Sequence, residues 1–519
     1  MSHFDVIIVG LGPTGATLAG LLGQAGISVA VFDRLPDLYP LPRAIGLDHE
    51  TLRILQELGL AQRMEAHIAP YRPSEYRGMD GGLIKRLDTL PEPHPLGWAP
   101  NHVFDQPGFE RLLRARLAEL PTVKVFVEAD VESTGQGDGQ AWADVRLAGE
   151  GSATRFSARY LVACDGGSSP VRKRLGIGLE DLDFDEPWLV VDAIVTDEKL
   201  AQLPQTQVQY CEAARPSTFV VGPGNHRRWE IMLLEGDSLS PEFPEEELWP
   251  LLARWLVPGE ATLWRAAAYR FHGLVAHEWR RDRILLAGDS AHMTPPFMAQ
   301  GMVGGMRDAH NLAWKLARIV RGQSPATLLD SYMEERKPHM KQTILTAMAL
   351  GRIICERDPQ RALERDRRLR EQHGGEVKTE YRQNMIPKLE FGMLAPGGEL
   401  TGQLFPQPRV QGQGFAGRLD DLTGACVRVV VRGPLGAPEK AAYLDALAPV
   451  AGVLVQLGAH GATADSAFEV TELQPLIAPL LEKAGQQVVV VRPDHYVYGA
   501  AASHAEALGL LRDLKSALA

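Results

Sequence analysis

Between Gly288 and Leu316 the chain reads GDSAHMTPPFMAQGMVGGMRDAHNLAWKL, a loop of small residues, prolines and glycines followed by a helix-like pattern. An apolar run of strand character, Arg283 to Ala287, leads into it. Backbone in such a loop can lie directly against a ligand. Asp289 offers a carboxylate to a sugar hydroxyl. A helix beginning near Gly301 would aim its free N–H groups and positive dipole end at whatever the loop holds. That arrangement suits a flavin, whose N1–C2=O edge becomes negative on reduction.

A second cluster with chemistry in it lies at the N-terminus. Phe4 to Val9 is an apolar run of strand length that leads straight into Gly10-Leu-Gly12-Pro13-Thr14-Gly15. A helical pattern over 16–25 follows, then a strand over 28–32 that ends at Asp33. In a βαβ dinucleotide unit Gly10 makes the tight turn, Gly12 admits the pyrophosphate, and Gly15 lets helix pack on strand. Asp33 stands where a carboxylate meets the adenosine ribose. The chain also repeats the glycine spacing at Gly412-Gln-Gly414-Phe-Ala-Gly417, but prolines 406 and 408 precede it and Asp420-Asp421 follow. With no strand before it and no apolar helix after it, this second match reads as a surface loop.

A third segment, Tyr160-Leu-Val-Ala-Cys-Asp165-Gly-Gly-Ser-Ser-Pro-Val-Arg172, is a strand running into a loop and a helix start. Together, and in this order, the three motifs resemble those of the class A FAD-dependent aromatic monooxygenases: GxGxxG, then DGxxSxxR (Asp165, Gly166, Ser169, Arg172), then the Gly-Asp motif at Gly288-Asp289. The resemblance covers nearly all of residues 1–345. Within that family, Pro42-Arg43-Ala44-Ile45-Gly46-Leu47 and the run Asp330 to His339 look most like the 3-(3-hydroxyphenyl)propionate and phenol hydroxylase branch.

The resemblance implies an α/β fold in which a Rossmann-like FAD-binding domain (1–72, 97–180 and 277–345) is interleaved with a β-sheet substrate domain (73–96 and 181–276). Strand-like stretches at 189–195, 208–210, 218–221 and 228–234 would form a sheet roofing the substrate cavity, and the proline-rich 87–100 would add an edge or lid. Residues 346–389 read as a charged helical connector or an oligomer contact. From 390 to 519, buried-strand patterns at 427–431, 453–457 and 487–491 alternate with helical runs. This part resembles the thioredoxin-like appendage of that branch. Having no CxxC it cannot exchange thiols and disulfides, so packing, dimer support or cavity closure is expected of it.

Composition sets limits on partners. The 519 residues exceed a single core, and two or three domains are expected. A net charge of −11 argues against nucleic acid and anionic membranes, and no apolar stretch is long enough to span a bilayer. The opening residues form a strand rather than a signal peptide. Four scattered cysteines show no zinc spacing. A cytoplasmic enzyme, metal-free and dimeric through the connector, is the expectation.

For activity, the resemblance implies hydroxylation of a phenolic ring, with or without a carboxylate, using NAD(P)H and O2 through a flavin C4a-hydroperoxide. The family pattern maps onto Gly10, Gly12, Pro13, Thr14, Gly15, Asp33, Arg34 and Arg43 around the ADP part. Gln106, Asp165, Gly166, Gly288, Asp289, Pro295, Gly301 and Met302 complete the cofactor set. Asp165 and Arg172 are either a shared FAD and NAD(P)H contact or a capping aspartate beside a surface arginine. With no second dinucleotide fold, the nicotinamide would bind transiently, and NADH and NADPH stay open. A base near the phenol hydroxyl is expected, with Asp48, His49, Tyr210, Tyr269 and His272 as candidates. His292 is expected to brace the Asp289 loop. Arg215, Arg227 or Arg228 could pair with a substrate carboxylate, surface solvation being the default. Ile45 replaces an aspartate of the phenol-hydroxylase subgroup, which leans away from simple phenol. The alternatives are epoxidase or Baeyer–Villiger chemistry on a larger polyketide-like substrate and, more distantly, a non-catalytic FAD-containing binding protein.

Overall fold

In the computed structural model, which describes residues 2–240, 243–372, 374–412, 414–458 and 467–519, strand Ser2–Val9 lies between Val29–Phe32 and Thr154–Ala163. It runs parallel to both, with Val6 opposite Val29 on one side and Tyr160 on the other. Val123–Phe126 extends the sheet beyond Val29–Phe32, and Ile284–Leu286 extends it beyond Thr154–Ala163, again in parallel. Strands covered on both faces read as unbroken apolar runs, and Val6, Ile7 and Ile8 are wholly buried. The consequence is positional. Gly10, Asp33, Asp165 and Asp289 each follow the C-terminal end of a different strand of this layer, the end at which open parallel sheets bind ligands.

A nine-stranded sheet forms the second layer, and two long strands tie it to the first. Leu179–Val195 and Ala261–Ala276 pair antiparallel along most of their length. His226–Met232, Ser217–Val221, Gln207–Tyr210, Ser74–Arg77 and Leu83–Asp88 follow in order. One face of this sheet packs on an apolar cluster containing Trp229, Ile231, Phe219 and Trp255. The opposite face looks toward the first layer.

Two expectations about this sheet are corrected. The stretch 346–389 is more than a helical connector: after helix Pro359–Glu371 it contributes strand Thr379–Tyr381, which pairs in parallel with Leu83–Asp88 and becomes the sheet edge. The proline-rich segment 87–100 is neither edge nor lid. Its strand lies inside the sheet, and its remainder packs on the C-terminal module, with the Gln407 N–H donating to Pro95 O and Arg418 stacked 3.6 Å from the Trp98 ring centroid.

The C-terminal module has a seven-stranded α/β sheet. Arg428–Arg432 runs parallel to Val453–Leu457 and antiparallel to Val488–Val491, which turns back into Val497–Ala501. The glycine-spaced segment at 412–417 is also corrected. A strand does precede it: Arg409–Gly412 pairs antiparallel with Phe415–Arg418. Prolines at 406 and 408 stop just short of the strand, where a missing N–H costs nothing. Gln413 lies outside the described residues.

The module is fastened to the rest by buried charge. Glu335, on helix Asp330–Ile354, accepts from both Nη atoms of Arg492 and from Lys315 Nζ. Asn311 donates to Asp494, and Arg53 forks onto Asp420. Each of these carboxylates and cations sits behind apolar surface, where an unpaired charge is costly. No helix among the described residues is long and apolar enough to cross a membrane.

Candidate active site

One cavity of about 700 Å³ lies between the two layers. At one end it is walled by the turns that follow the parallel strands. Gly10 adopts φ +103°, and a Cβ there would meet Cys164 O at 2.3 Å. A Cβ on Gly15 would meet Gly10 O at 2.0 Å, so Gly15 serves the packing of helix Pro13–Gln24 and is not in the wall. Gly12, in contrast, has open space where its Cβ would be. Pro13 and Thr14 line the cavity behind it, and Pro13 opens the helix where its missing N–H is no loss.

Asp33 faces this end with both oxygens engaged: Oδ2 accepts from the Leu11 N–H at 2.7 Å and Oδ1 from the Leu35 N–H at 2.9 Å. It holds the glycine turn in shape while keeping lone pairs for a ligand. Arg34 and Arg43 also line the wall. Gln106 is buried and spends its carbonyl on the Arg43 and Ala44 N–H groups, at 2.7 and 2.6 Å, while its amide donates to Glu110. Its work is to fix the segment that carries Arg43.

Asp165 and Asp289 both line the cavity, and burial raises the pKa of each. Asp165 Oδ2 accepts from the Val171 N–H at 3.1 Å; its Oδ1 is buried with no protein partner among the described residues. Gly166 beside it has φ +83°. Arg172 is neither a surface residue nor a cavity residue. It is buried and donates to Ser290 O and Gly167 O, joining two of the motif loops. Gly288 lies just outside the wall at φ +63°, where a side chain would strike Thr14 Oγ1 at 2.6 Å. His292 braces this loop through Asp308 at 2.6 Å.

At the centre, helix Gly301–Val320 begins with Gly301 and Met302 in the wall. The first-turn N–H groups of a helix have no intrahelical acceptors, and Gln300 supplies no side-chain cap. Pro295 stands between the wall residues Thr294 and Pro296 without lining the cavity itself. Thr294 Oγ1 is a second buried polar atom without a protein partner among the described residues.

The far end is the inner face of the nine-stranded sheet, and here the five candidate bases separate. Tyr269 and His272 line the cavity. The Arg265 guanidinium lies 4.5 Å from the Tyr269 ring centroid, and His272 Nδ1 is 3.4 Å from Asp185 Oδ1. Asp48, His49 and Tyr210 do not line it. Asp48 Oδ1 caps helix His49–Glu57 through the Thr51 N–H and hydroxyl, at 3.0 Å each, and its other oxygen pairs with Arg307. The His49 imidazole is pushed down to about 4, by burial first. Tyr210 points to the opposite side of its strand, against Trp255 and Arg254. Side chains alternate across a strand, and since Gln207 and Gln209 face the cavity, Tyr210 cannot.

The same alternation brings in Glu230, which the sequence reading missed, and separates Arg228 from the other two arginines expected near a substrate carboxylate. With Trp229 and Ile231 in the apolar cluster, Arg228 and Glu230 face the cavity. The period-2 signal was there to be read in His226–Met232. Arg228 is not solvated: it forks onto Asp192 at 2.7 and 3.1 Å and donates to Arg43 O and Pro42 O. Arg215 pairs with Asp237, and Arg227 donates to turn carbonyls; neither lines the cavity. Arg265 donates to Pro42 O. Arg382 reaches the wall from the corrected connector, a placement with no local signal in sequence.

The comparisons with known proteins agree with this geometry. Residues 3–347 match the family model described as FAD binding domain, and 402–517 match the HcaD C-terminal domain. A probable NADH-specific resorcinol 4-hydroxylase of Rhodococcus jostii (strain RHA1) is 36% identical, over 99% of this chain and 95% of its own. A 3-(3-hydroxy-phenyl)propionate/3-hydroxycinnamic acid hydroxylase of Comamonas testosteroni is 30% identical, over 99% and 97% respectively. The solved flavin-dependent monooxygenase PieE, in complex with FAD and substrate, superposes with a TM-score of 0.81 over 99% of both chains at 20% identity.

Proposed function

The chain belongs to the FAD-dependent aromatic hydroxylases, and from that premise we propose that it takes electrons from NADH and places one oxygen atom of O2 on a phenolic ring. The observation that carries this reading is one continuous cavity, with a dinucleotide cradle at one end and a polar sheet face at the other. The cradle fits the cofactor: Gly12 leaves room for a pyrophosphate, and Asp165 Oδ1 and Thr294 Oγ1 are buried polar atoms in want of a partner. FAD, when bound, supplies the transfer of nicotinamide electrons to O2 and of an oxygen atom to the ring.

The chain's own residues supply position and field. Gly10, Gly12, Pro13 and Thr14, with Asp33, Arg34 and Arg43, are proposed to hold the ADP part, and Gly15 and Gln106 to keep that turn in shape. Asp165, Gly166, Gly288, Asp289 and Pro295 would follow the ribityl side. The N–H groups of Gly301 and Met302 would meet developing negative charge on the flavin edge, where fixed dipoles act with no reorganisation. Tyr269 and His272 are proposed to meet the substrate. Asp48, His49 and Tyr210 are assigned structural roles.

The relatives do not favour epoxidase or Baeyer–Villiger chemistry. The domain borders given by the sequence are retained as a proposal, with 379–381 reassigned to the substrate sheet. The βαβ pair followed by an antiparallel hairpin and helix supports a thioredoxin-like reading of the C-terminal module. Among the described residues none beyond Arg382 lines the cavity, which supports packing rather than cavity closure as its role. A cytoplasmic location is proposed from the acidic charge and the four free cysteines, and a homodimer from the charged helix Pro359–Glu371.

The test is NADH and NADPH oxidation with parallel oxygen uptake across a panel of phenols. A compound that accelerates both and yields a product heavier by one oxygen supports the reading. A protein that cannot be loaded with FAD overturns it.

A further inference from the structure

Resting on the hydroxylase reading above, we propose that Glu230 is a catalytic residue that accepts the substrate's phenolic O–H, and that the site selects a neutral dihydroxybenzene over a phenol bearing a carboxylate. Glu230 occupies the middle of a cross-strand row made of Gln209, Thr218, Glu230, Val190 and Ala267. Its flanking partners, Thr218 and Val190, are small and uncharged. The residue is 7% exposed and lines the cavity. Among the described residues the one cation within 4.0 Å of its carboxylate is Arg228, whose hydrogen bonds go to Asp192, Arg43 O and Pro42 O. An acceptor is therefore left facing the cavity without a donor. Burial raises its pKa, and Asp192 adds to that, while Arg228 and Arg265 oppose it.

Acceptors dominate this part of the wall. Gln209, two strands away from Glu230 in the row, accepts the Thr218 hydroxyl on its Oε1 at 2.6 Å. Gln207 is closed onto both backbone atoms of Val221. Arg228 and Arg265 stand against Asp192 and Glu230, and the Nη groups of Arg382 are spent on Tyr71 Oη and Met298 O. A hydroxyl brings the donor that Glu230 lacks. A substrate carboxylate placed on this row would bring a second anion beside Glu230. Drawing the phenolic proton toward Glu230 also raises electron density at the ring positions ortho and para to that oxygen, where hydroxylation takes place.

The experiment compares 1,3-dihydroxybenzene with 3-(3-hydroxyphenyl)propionate on the FAD-loaded wild type, Glu230→Gln and Glu230→Leu. Product formation, kcat and KM are read together with the flavin absorbance change on titrating each compound. Wild type is expected to favour the dihydroxybenzene in kcat/KM. Glu230→Gln should lose roughly ten- to hundredfold of that value, the worth of a charge-assisted hydrogen bond, and Glu230→Leu more. FAD content and the melting curve report folding in each variant. Equal turnover of wild type and both variants, or a preference for the propionate, overturns the proposal and leaves the hydroxylase reading standing. If no phenol stimulates the wild type, the hydroxylase reading fails. The absorbance titration then decides Glu230 alone: dihydroxybenzene affinity unchanged in Glu230→Leu overturns its role as the acceptor.

Discussion

Replacing Glu335 by glutamine should loosen the attachment of the C-terminal module more than any surface change. The carboxylate is 1% exposed and accepts from five N–H groups: Lys315 Nζ at 2.9 Å, Asn311 Nδ2 at 2.7 Å, Arg492 at 2.9 and 2.7 Å, and the Met393 N–H at 3.0 Å. Glutamine keeps the shape but removes the charge between two buried cations. Arg492 retains Asp494, at 2.6 Å, so the loss falls mainly on Lys315. Burial already holds the Lys315 ammonium down to about 8, and without Glu335 it would shed its proton more readily still. Breaking a buried pair by removing one partner costs about 3–5 kcal/mol. At roughly 2–4 °C per kcal/mol for a unit of this size, the first unfolding transition should fall by roughly 6–20 °C. Thermal unfolding followed by circular dichroism measures it. Adding Arg492→Gln should cost less than in the wild-type background, because the two share one network. A single-variant loss below about 1 kcal/mol, or strictly additive costs in the double variant, would refute the reasoning.

Gly15→Ala should abolish FAD retention, because its Cβ would meet Gly10 O at 2.0 Å and displace the turn; bound flavin per protein is the measurement. Tyr210→Phe should leave kcat/KM within about twofold, costing only the bond from Trp255 Nε1, about 1 kcal/mol of stability. Stability should fall in acid. Glu335 is held down to about 2 and Asp308 below its ordinary value, so their contributions are complete above the unfolded values of 4.5 and 3.8 and are lost as pH drops toward their folded values. Denaturant titrations between pH 7 and 3 test that sign. The acid limb of kcat/KM should lie above the ordinary glutamate value of 4.5, since Glu230 is raised and must be ionised to accept, and Glu230→Gln should remove that limb.

The sequence by itself determined the strand-end half of the cavity. Three glycine- and aspartate-bearing turns sit at strand ends, and each carries its own local requirement: positive φ at Gly10 and Gly166, and close packing at Gly15. Such needs restrict residue type one position at a time, so they show in a single sequence. The end of Ser2–Val9 and the start of Gly301–Val320 were legible for the same reason, an apolar run followed by glycine and a helical period set off by a glycine-rich loop.

Tertiary structure decided the sheet-face half. Whether Tyr210 or Gln209 faces the cavity depends on which side of the sheet meets the first layer, and one residue's shift in parity reverses the answer. Asp48 looked like a base because its neighbours face the cavity, yet Arg307, 259 positions away, claims it. Arg382 reaches Tyr71 and Glu335 reaches Arg492, partners 311 and 157 positions away. A turn's conformation is a local property of the chain. The partners of a buried charge and the outlook of a sheet face are fixed only when distant segments pack, because that packing decides which charges lose water and what replaces it.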